Sequence, residues 1–347
     1  MRKMTTYCDA INRATLECMR EDDTVFCYGI GVPDHKKIFG TTAGILEEFG
    51  PSRCLDAPIS EDSLTGFGLG AAVSGSRPIF IHIRVDFLIL ALNQLTNAVN
   101  SYNFGNNGKQ SAPLTIRAVI GRGWGQGYQH SKSLFSTFAH IPGLEVFAPV
   151  SVSDAYYQTK KAVKSDNPSI LLEHRWLYSN EGEILDEKEY EKQNGVEVYG
   201  DARDLVMFAT SWMVAEANVA KNKLAEQGIS AAVVSISDLK APLPSEVGEL
   251  IGRSGRVLVA DNDWQYCGFG AELASQIHEK HFSKLRMPVA RLGFKDTHCP
   301  TARDLENEFY CDANDIISCV SEMFGQHFEM LDPKKLFSYE NKFRGPF

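Results

Sequence analysis

The chain has 347 residues, of which 44% are hydrophobic and 10% aromatic, enough for two domains with their own cores. Its formal net charge is −9 with no basic tract, which argues against a nucleic-acid partner. No stretch reaches the roughly 18 consecutive apolar residues that a membrane span requires. The eight cysteines show no CxxC pair and no metal-type spacing with histidine, so they read as reduced, buried thiols and not as zinc ligands. The opening MRKMTTYCDAINRATLECM is polar throughout and reads as an amphipathic helix and not as a signal peptide, so the expected location is cytoplasmic.

In chain order, residues 5–20 predict a helix with Ile11, Leu16 and Met19 on its apolar side. Strand TVFCYG follows at 24–29, then a loop with Gly31, Pro33 and Asp34 and a short helix near 42–49. The stretch 54–87, CLDAPISEDSLTGFGLGAAVSGSRPIFIHIRVDF, predicts a strand, a Gly/Ala-rich helix and a second strand over Ile79–Val85 that ends at Asp86 and Phe87. LILALNQLTNAVNSYN at 88–103 predicts one apolar-striped helix, and FGNNGKQSAP a turn-rich loop. Strand LTIRAVI at 114–120, the glycine-rich GRGWGQGYQH at 121–130, a helix from SKSLFSTFAH, and a further strand, helix and strand through SILLEH complete the first half. Residues 179–203 are acidic with little apolar pattern and read as a connection. A second alternation then runs through DLVMFAT, a helix at 212–227, ISAAVVSIS, LKAPLP, RVLVAD, a helix from Ala271 to His281, PVARLG and a helix near 313–325.

Strands alternating with helices predict an α/β fold: two domains, each a mainly parallel sheet with helices on both faces. The expected division is 1–178, a 179–203 linker, 204–330 and a tail at 331–347.

The chemistry is expected at the carboxyl ends of the strands, where such sheets meet their ligands. Glu61 stands where the chain enters a helix, and Phe87 follows a strand. A carboxylate at a helix start is favoured by the macrodipole alone. Its apolar company, Ile59, Leu64, Phe67 and Leu69, also suits a carboxyl that shares a proton with a ring nitrogen. The pair is expected to hold one flat heteroaromatic ring, Glu61 on its edge and Phe87 on its face, between apolar walls from Ile59 and Ile83. Asp86 reads as a strand-end carboxylate that caps the next helix. His130 is either a structural histidine or one that exchanges a proton near working pH. The loop Gly121–Gly127 is either a surface turn or a mobile cover. GFGLG at 66–70 lies inside a helix, so its glycines read as close packing and not as a dinucleotide fingerprint.

DAPISE, the Gly/Ala-rich helix and the strand ending in DF resemble the β subunit of the decarboxylating component of 2-oxoacid dehydrogenases, pyruvate and branched-chain types, within the transketolase-like proteins. GRGWGQGYQHSKSL, IPGLEVFAP, DAYYQTKKAVKSDNPSILLEH, LKAPLP and the GFGAELA helix extend that likeness from about residue 5 to 325.

The resemblance implies thiamine diphosphate as cofactor. Glu61 then meets the pyrimidine N1′ and favours the tautomer that takes the thiazolium proton. Phe87 stacks on the pyrimidine, Ile59 and Ile83 line it, and His130 donates a proton or hydrogen bond near the substrate. The resemblance also implies a structural potassium ion on the backbone carbonyls of Leu114, Ala162, Ser165 and Asn167. The magnesium motif, GDG with a later asparagine, is missing from this sequence. The implied arrangement is an α subunit that supplies it, an α2β2 assembly with shared cofactor, a small 2-oxo acid as substrate and a lipoyl acyltransferase as acceptor. Departures from the pattern are Ile30 in place of an acidic residue, Arg84 beside the expected pyrimidine pocket, and Arg122 and Trp124 in the loop. Arg84 either grips a carboxylate or phosphate or pairs with Asp86. The alternative activity is a non-oxidative carboligase or split transketolase on the same scaffold.

Overall fold

The structure is a computed structural model and describes residues 4–121, 126–193 and 195–336. The chain divides into two compact units. One comprises residues up to 121 with 137–192; the other comprises the described part of 122–136 with 193 onward.

The first unit holds β1 (Met4–Thr6), β2 (Val25–Gly29), β3 (Cys54–Asp56), β4 (Arg77–His82), β5 (Thr115–Ile120), β6 (Glu145–Phe147), β7 (Ser169–His174) and β8 (Glu181–Glu183). Six of them form a parallel sheet in the order β3-β2-β4-β5-β7-β6, and β1 pairs antiparallel with β8. Successive side chains point to opposite faces. Cys27, Ile79 and Ile81 join Cys18, Met19, Ile45 and Val163 in one core. Tyr28, Phe80 and His82 take the other parity, and Tyr28 and Phe80 stack with ring centroids 4.5 Å apart.

The second unit holds β9 (Val196–Tyr199), β10 (Leu205–Thr210), β11 (Ala231–Ile236), β12 (Val257–Trp264) and β13 (Ala290–Phe294), ordered β13-β12-β10-β11-β9. All pairs are parallel except β9 with β11. The two-sheet α/β class expected from the alternation is the class observed. β10 and β11 are buried along their whole length, as suits near-continuous apolar runs covered on both faces.

Three expectations are corrected. β4 ends at His82, three residues short of Val85, and Asp86 and Phe87 lie in a helical turn, Val85–Leu88. Asp86 is therefore inside the first turn, where its charge meets the helix start; the N-cap position is Arg84. The single helix over 88–103 is instead broken into a 3₁₀ turn (Ile89–Ala91), a short α turn (Leu92–Gln94), a π turn (Leu95–Val99) and a last α turn (Tyr102–Gly105). Two hydroxyls bond back onto its ladder: Thr96 Oγ1 donates to the Leu92 carbonyl at 2.6 Å and Ser101 Oγ to the Asn97 carbonyl at 3.2 Å, side-chain bonds that compete with the helix ladder. The acidic stretch 179–203 is more than a plain connection, because it carries β8, the Glu187–Tyr190 helix and β9.

Candidate functional site

Gly29 ends β2 with φ +148°, and a Cβ there would come within 2.3 Å of the Ile81 carbonyl oxygen. Only glycine allows β2 and β4 to finish this close. The chain then turns at Gly31, whose N–H donates to Asp56 Oδ1 at 2.8 Å. A Cβ on Gly31 would lie 4.0 Å from Ile83 Cδ1. The carboxyl ends of β2, β3 and β4 therefore meet in one place.

The Glu61–Val73 helix starts beside these ends. It packs on β4 and on the Ile89–Ala91 turn that follows Phe87. Its seat is a phenol: Tyr28 Oη donates to the Leu64 carbonyl at 2.8 Å. Gly68 makes room for it, since a Cβ there would stand 2.2 Å from Tyr28 Oη. Glu61 is buried at 9% exposure, whereas Ile59 is 81%, Ile83 37% and Phe87 38% exposed. Glu61 is thus a sheltered carboxylate at a helix start, while Ile59, after β3, and Ile83 and Phe87, after β4, present partly or largely exposed apolar side chains.

His130 belongs to the second unit, although in the chain it lies between β5 and β6 of the first. It ends a 3₁₀ turn, Gly127–His130, and is half-buried. Ser131 Oγ donates to the Gly127 carbonyl at 2.6 Å, and Tyr310 Oη donates to the Ser131 carbonyl at 3.1 Å. Of the expected mobile cover, residues 122–125, including Arg122 and Trp124, lie outside the described residues.

The carbonyls expected to hold a monovalent cation lie between β5, β7 and the Val152–Lys164 helix. Each accepts a hydrogen bond. Leu114 O takes Ser169 N–H at 3.0 Å, Ala162 O takes Thr115 Oγ1 at 3.1 Å, Ser165 O takes Arg77 Nη1 at 2.8 Å and Asn167 O takes Ser169 Oγ at 3.4 Å. A carbonyl keeps a second lone pair, but the Arg77 guanidinium brings positive charge to Ser165. Among the described residues, no group of three or more His, Cys, Asp or Glu side chains is placed to hold a metal ion.

Three features escaped the sequence. His82 is buried at the end of β4, its ring centroid 4.1 Å from that of Phe80. Burial pushes its imidazole down to about 3, so it is neutral. Arg175, just past β7, is pushed down to about 9 by burial and then by the Arg84 guanidinium. It also lies 3.8 Å from the Phe39 ring centroid. Arg117 and Glu173 form a fully buried bidentate pair at 2.5 and 2.9 Å, and Tyr178 Oη donates to Glu173 Oε2 at 2.8 Å. Arg84 was visible in sequence as an odd charge in an apolar strand. The other partners were not, because 56 residues separate Arg117 from Glu173.

Residues 3–181 match the family "Transketolase, pyrimidine binding domain", and residues 195–316 match "Transketolase, C-terminal domain". The pyruvate dehydrogenase E1 component subunit beta-1 (mitochondrial) of Arabidopsis thaliana is 31% identical over 319 residues, covering 91% of this chain and 88% of that protein. The subunit beta of Porphyra purpurea is 31% identical over 315 residues, covering 91% and 95%. A solved "Split gene transketolase, inactive beta4 tetramer" shares the fold at TM-score 0.72 and 21% identity, over 91% of this chain and 97% of that one. With both transketolase domains matched and this likeness over nine-tenths of its length, the chain belongs to the transketolase-like family of 2-oxoacid dehydrogenase E1 β subunits.

Proposed function

We propose that this chain is the β subunit of a thiamine diphosphate-dependent 2-oxoacid dehydrogenase. It acts on pyruvate or a branched-chain 2-oxo acid, passes the acyl group to a lipoyl group, and works with an α subunit in an α2β2 assembly. The observation that carries the reading is the sheltered Glu61 carboxylate at the start of a helix packed against β4 and the turn after Phe87.

When bound, thiamine diphosphate supplies the electron sink that lets carbon dioxide leave. Glu61 holds a proton between its carboxyl and the ring nitrogen it faces. Phe87 covers the ring face, and Ile59 and Ile83 keep water from its edges. His130 gives a proton or hydrogen bond to the substrate. The magnesium ion and the diphosphate are held by the partner. The carbonyls of Leu114, Ala162, Ser165 and Asn167 hold potassium through their remaining lone pairs. The proposed domains are 1–178 and 204–330. The eight free cysteines suit a reducing compartment, read here as the cytoplasm. Among the described residues, no helix is long and apolar enough to cross a membrane.

The test mixes the chain with an α subunit carrying a GDG motif, a candidate 2-oxo acid and a lipoyl domain or artificial electron acceptor. Turnover by the mixture and by neither chain alone is expected. Glu61→Gln is expected to lower kcat at least about 100-fold, the span of a positioned proton-transfer group. Turnover by this chain alone, or an unchanged Glu61→Gln complex, overturns the reading.

A second reading, a carboligase or split transketolase subunit, is favoured by Arg84 and Arg175, whose positive charges act on each other near the strand ends. Such a pair suits a substrate with a second anionic group. New carbon–carbon bonds formed without an electron acceptor would select it.

A further inference from the structure

The short turn that carries His130, Gly127–His130, is closed on itself, since Ser131 Oγ donates to the Gly127 carbonyl at 2.6 Å. Gly127 has φ +69°, and a Cβ there would stand 3.5 Å from Thr301 Cγ2. Beyond the turn, Leu134 takes a left-handed conformation, φ +59°, which costs a non-glycine residue free energy unless its surroundings impose it. A histidine between two such bends keeps one direction only if the chain beside it is held.

Two side chains from distant parts of the chain hold it. Tyr310 Oη donates to the Ser131 carbonyl at 3.1 Å, across 179 residues. Asn262 Nδ2 donates to Ser133 Oγ at 3.2 Å, across 129 residues. Ser131, Ser133, Asn262 and Tyr310 are all buried. All four lie in the second unit, as does His130.

Neither donor is free to follow the segment. The Tyr310 ring stands nearly perpendicular to Phe294 and Phe309, with centroids 5.1 and 5.0 Å away, in a buried cluster that includes Cys299. Its phenol oxygen is thus placed by the core. Asn262 stands on β12 where the pairing with β13 shifts register between Ala260 and Trp264, an irregularity of the kind that re-aims side chains. A buried acceptor that loses its donor carries its full desolvation cost, so removing either donor favours a displaced segment over an intact one.

We propose that Tyr310 and Asn262 are positioning residues for His130: their hydrogen bonds to Ser131 and Ser133 fix the backbone just past the turn and so set the direction of the imidazole. That this direction matters for turnover rests on the proposed role of His130. The placement itself does not.

The test uses the full chain with isotope-labelled histidine rings, the His130 resonance being the one lost in His130→Gln. Tyr310→Phe removes the hydroxyl and leaves the ring in its cluster. Asn262→Ala and Ser133→Ala each remove the second bond, from opposite ends, and should give the same change. All three are expected to shift the His130 ring resonance and to raise hydrogen–deuterium exchange of 127–136 by about three- to tenfold, the opening that one lost hydrogen bond allows. Unchanged protection of β10 and β11 shows that a variant is folded. A His130 resonance and a 127–136 exchange that stay as in the wild type overturn the proposal; should Asn262→Ala not fold, Tyr310→Phe and Ser133→Ala still decide. With the α partner and a 2-oxo acid, Tyr310→Phe is expected to lower kcat about 10- to 100-fold with KM within about twofold, as a misplaced reacting group does. In Tyr310→Phe with His130→Gln, the loss should be no greater than in His130→Gln alone, because nothing is left to position. Losses that multiply would make Tyr310 merely structural and overturn its link to catalysis. An unchanged His130→Gln complex instead overturns the role of His130 and leaves the placement standing.

Discussion

The Tyr28 hydroxyl reaches the Leu64 carbonyl at 2.8 Å through a space that the missing side chain of Gly68 leaves open. This contact sets the height of the Glu61–Val73 helix over the sheet, and so the place of its first residue. Gly68→Ala would put a Cβ 2.2 Å from the phenol oxygen and 2.9 Å from Leu114 Cδ1. The expected cost is about 1–3 kcal/mol, the usual range for overpacking. Tyr28→Phe alone should cost about 1 kcal/mol for the lost hydrogen bond. In the double variant the hydroxyl is gone and part of the clash with it, so its loss should be smaller than the sum of the two single losses. Denaturant melts of the four proteins check this; strict additivity would remove Tyr28 as the helix's seat.

Arg117 and Glu173 sit on adjacent strands, β5 and β7, with 1% of either side chain exposed. Glu173→Gln leaves a buried guanidinium without its counter-charge, and a loss of about 3–5 kcal/mol is expected. A double replacement by apolar residues of similar volume should recover much of that loss. Thermal melts that show the double variant no better than Glu173→Gln would contradict this account.

His82 gives the first unit a pH dependence. In the folded chain burial holds its value at about 3, against a usual 6.5. The unfolded chain takes up a proton below pH 6.5 that the folded chain refuses. The His82 contribution is thus intact above about pH 6.5 and is withdrawn as pH falls towards 3, by about 1.4 kcal/mol per unit. His82→Phe should flatten the stability profile across this window and leave stability at pH 7.5 within about 1.5 kcal/mol, as aromatic swaps of similar volume do. Chemical denaturation at several pH values measures both.

Phe87 is 38% exposed, so Phe87→Ala should cost the isolated chain little stability. If it lies on the pyrimidine, cofactor affinity in the complex should drop at least about fivefold, since aromatic stacking adds roughly 1 kcal/mol beyond burial. A fluorescence titration of thiamine diphosphate into wild-type and variant complexes checks it, and equal affinities would remove Phe87 from the ring site.

Much of the fold was legible because its signals are local. β-branched and apolar runs such as TIRAVI, SILLEH and AAVVSI separated by helical patterns announce parallel strands wherever they pack. The order of DAPISE, the glycine-rich helix and the DF turn puts Glu61 in the chain after β3 and Phe87 after β4. The 88–103 region misled because its apolar stripe is helical while the Thr96 and Ser101 hydroxyls bond back to backbone carbonyls, and only the packed structure shows which prevails.

What the amino-acid order determined by itself is the run of elements and the residues at their ends, since propensity, periodicity and glycine placement act over a few residues. Tertiary structure decided that His82 is neutral, that Arg117 finds Glu173, and that the segment after residue 126 joins the second unit, where Asn262 bonds Ser133 and Tyr310 bonds Ser131. Those outcomes depend on desolvation and on charges brought together from distant parts of the chain, and neither quantity exists until the sheets are packed.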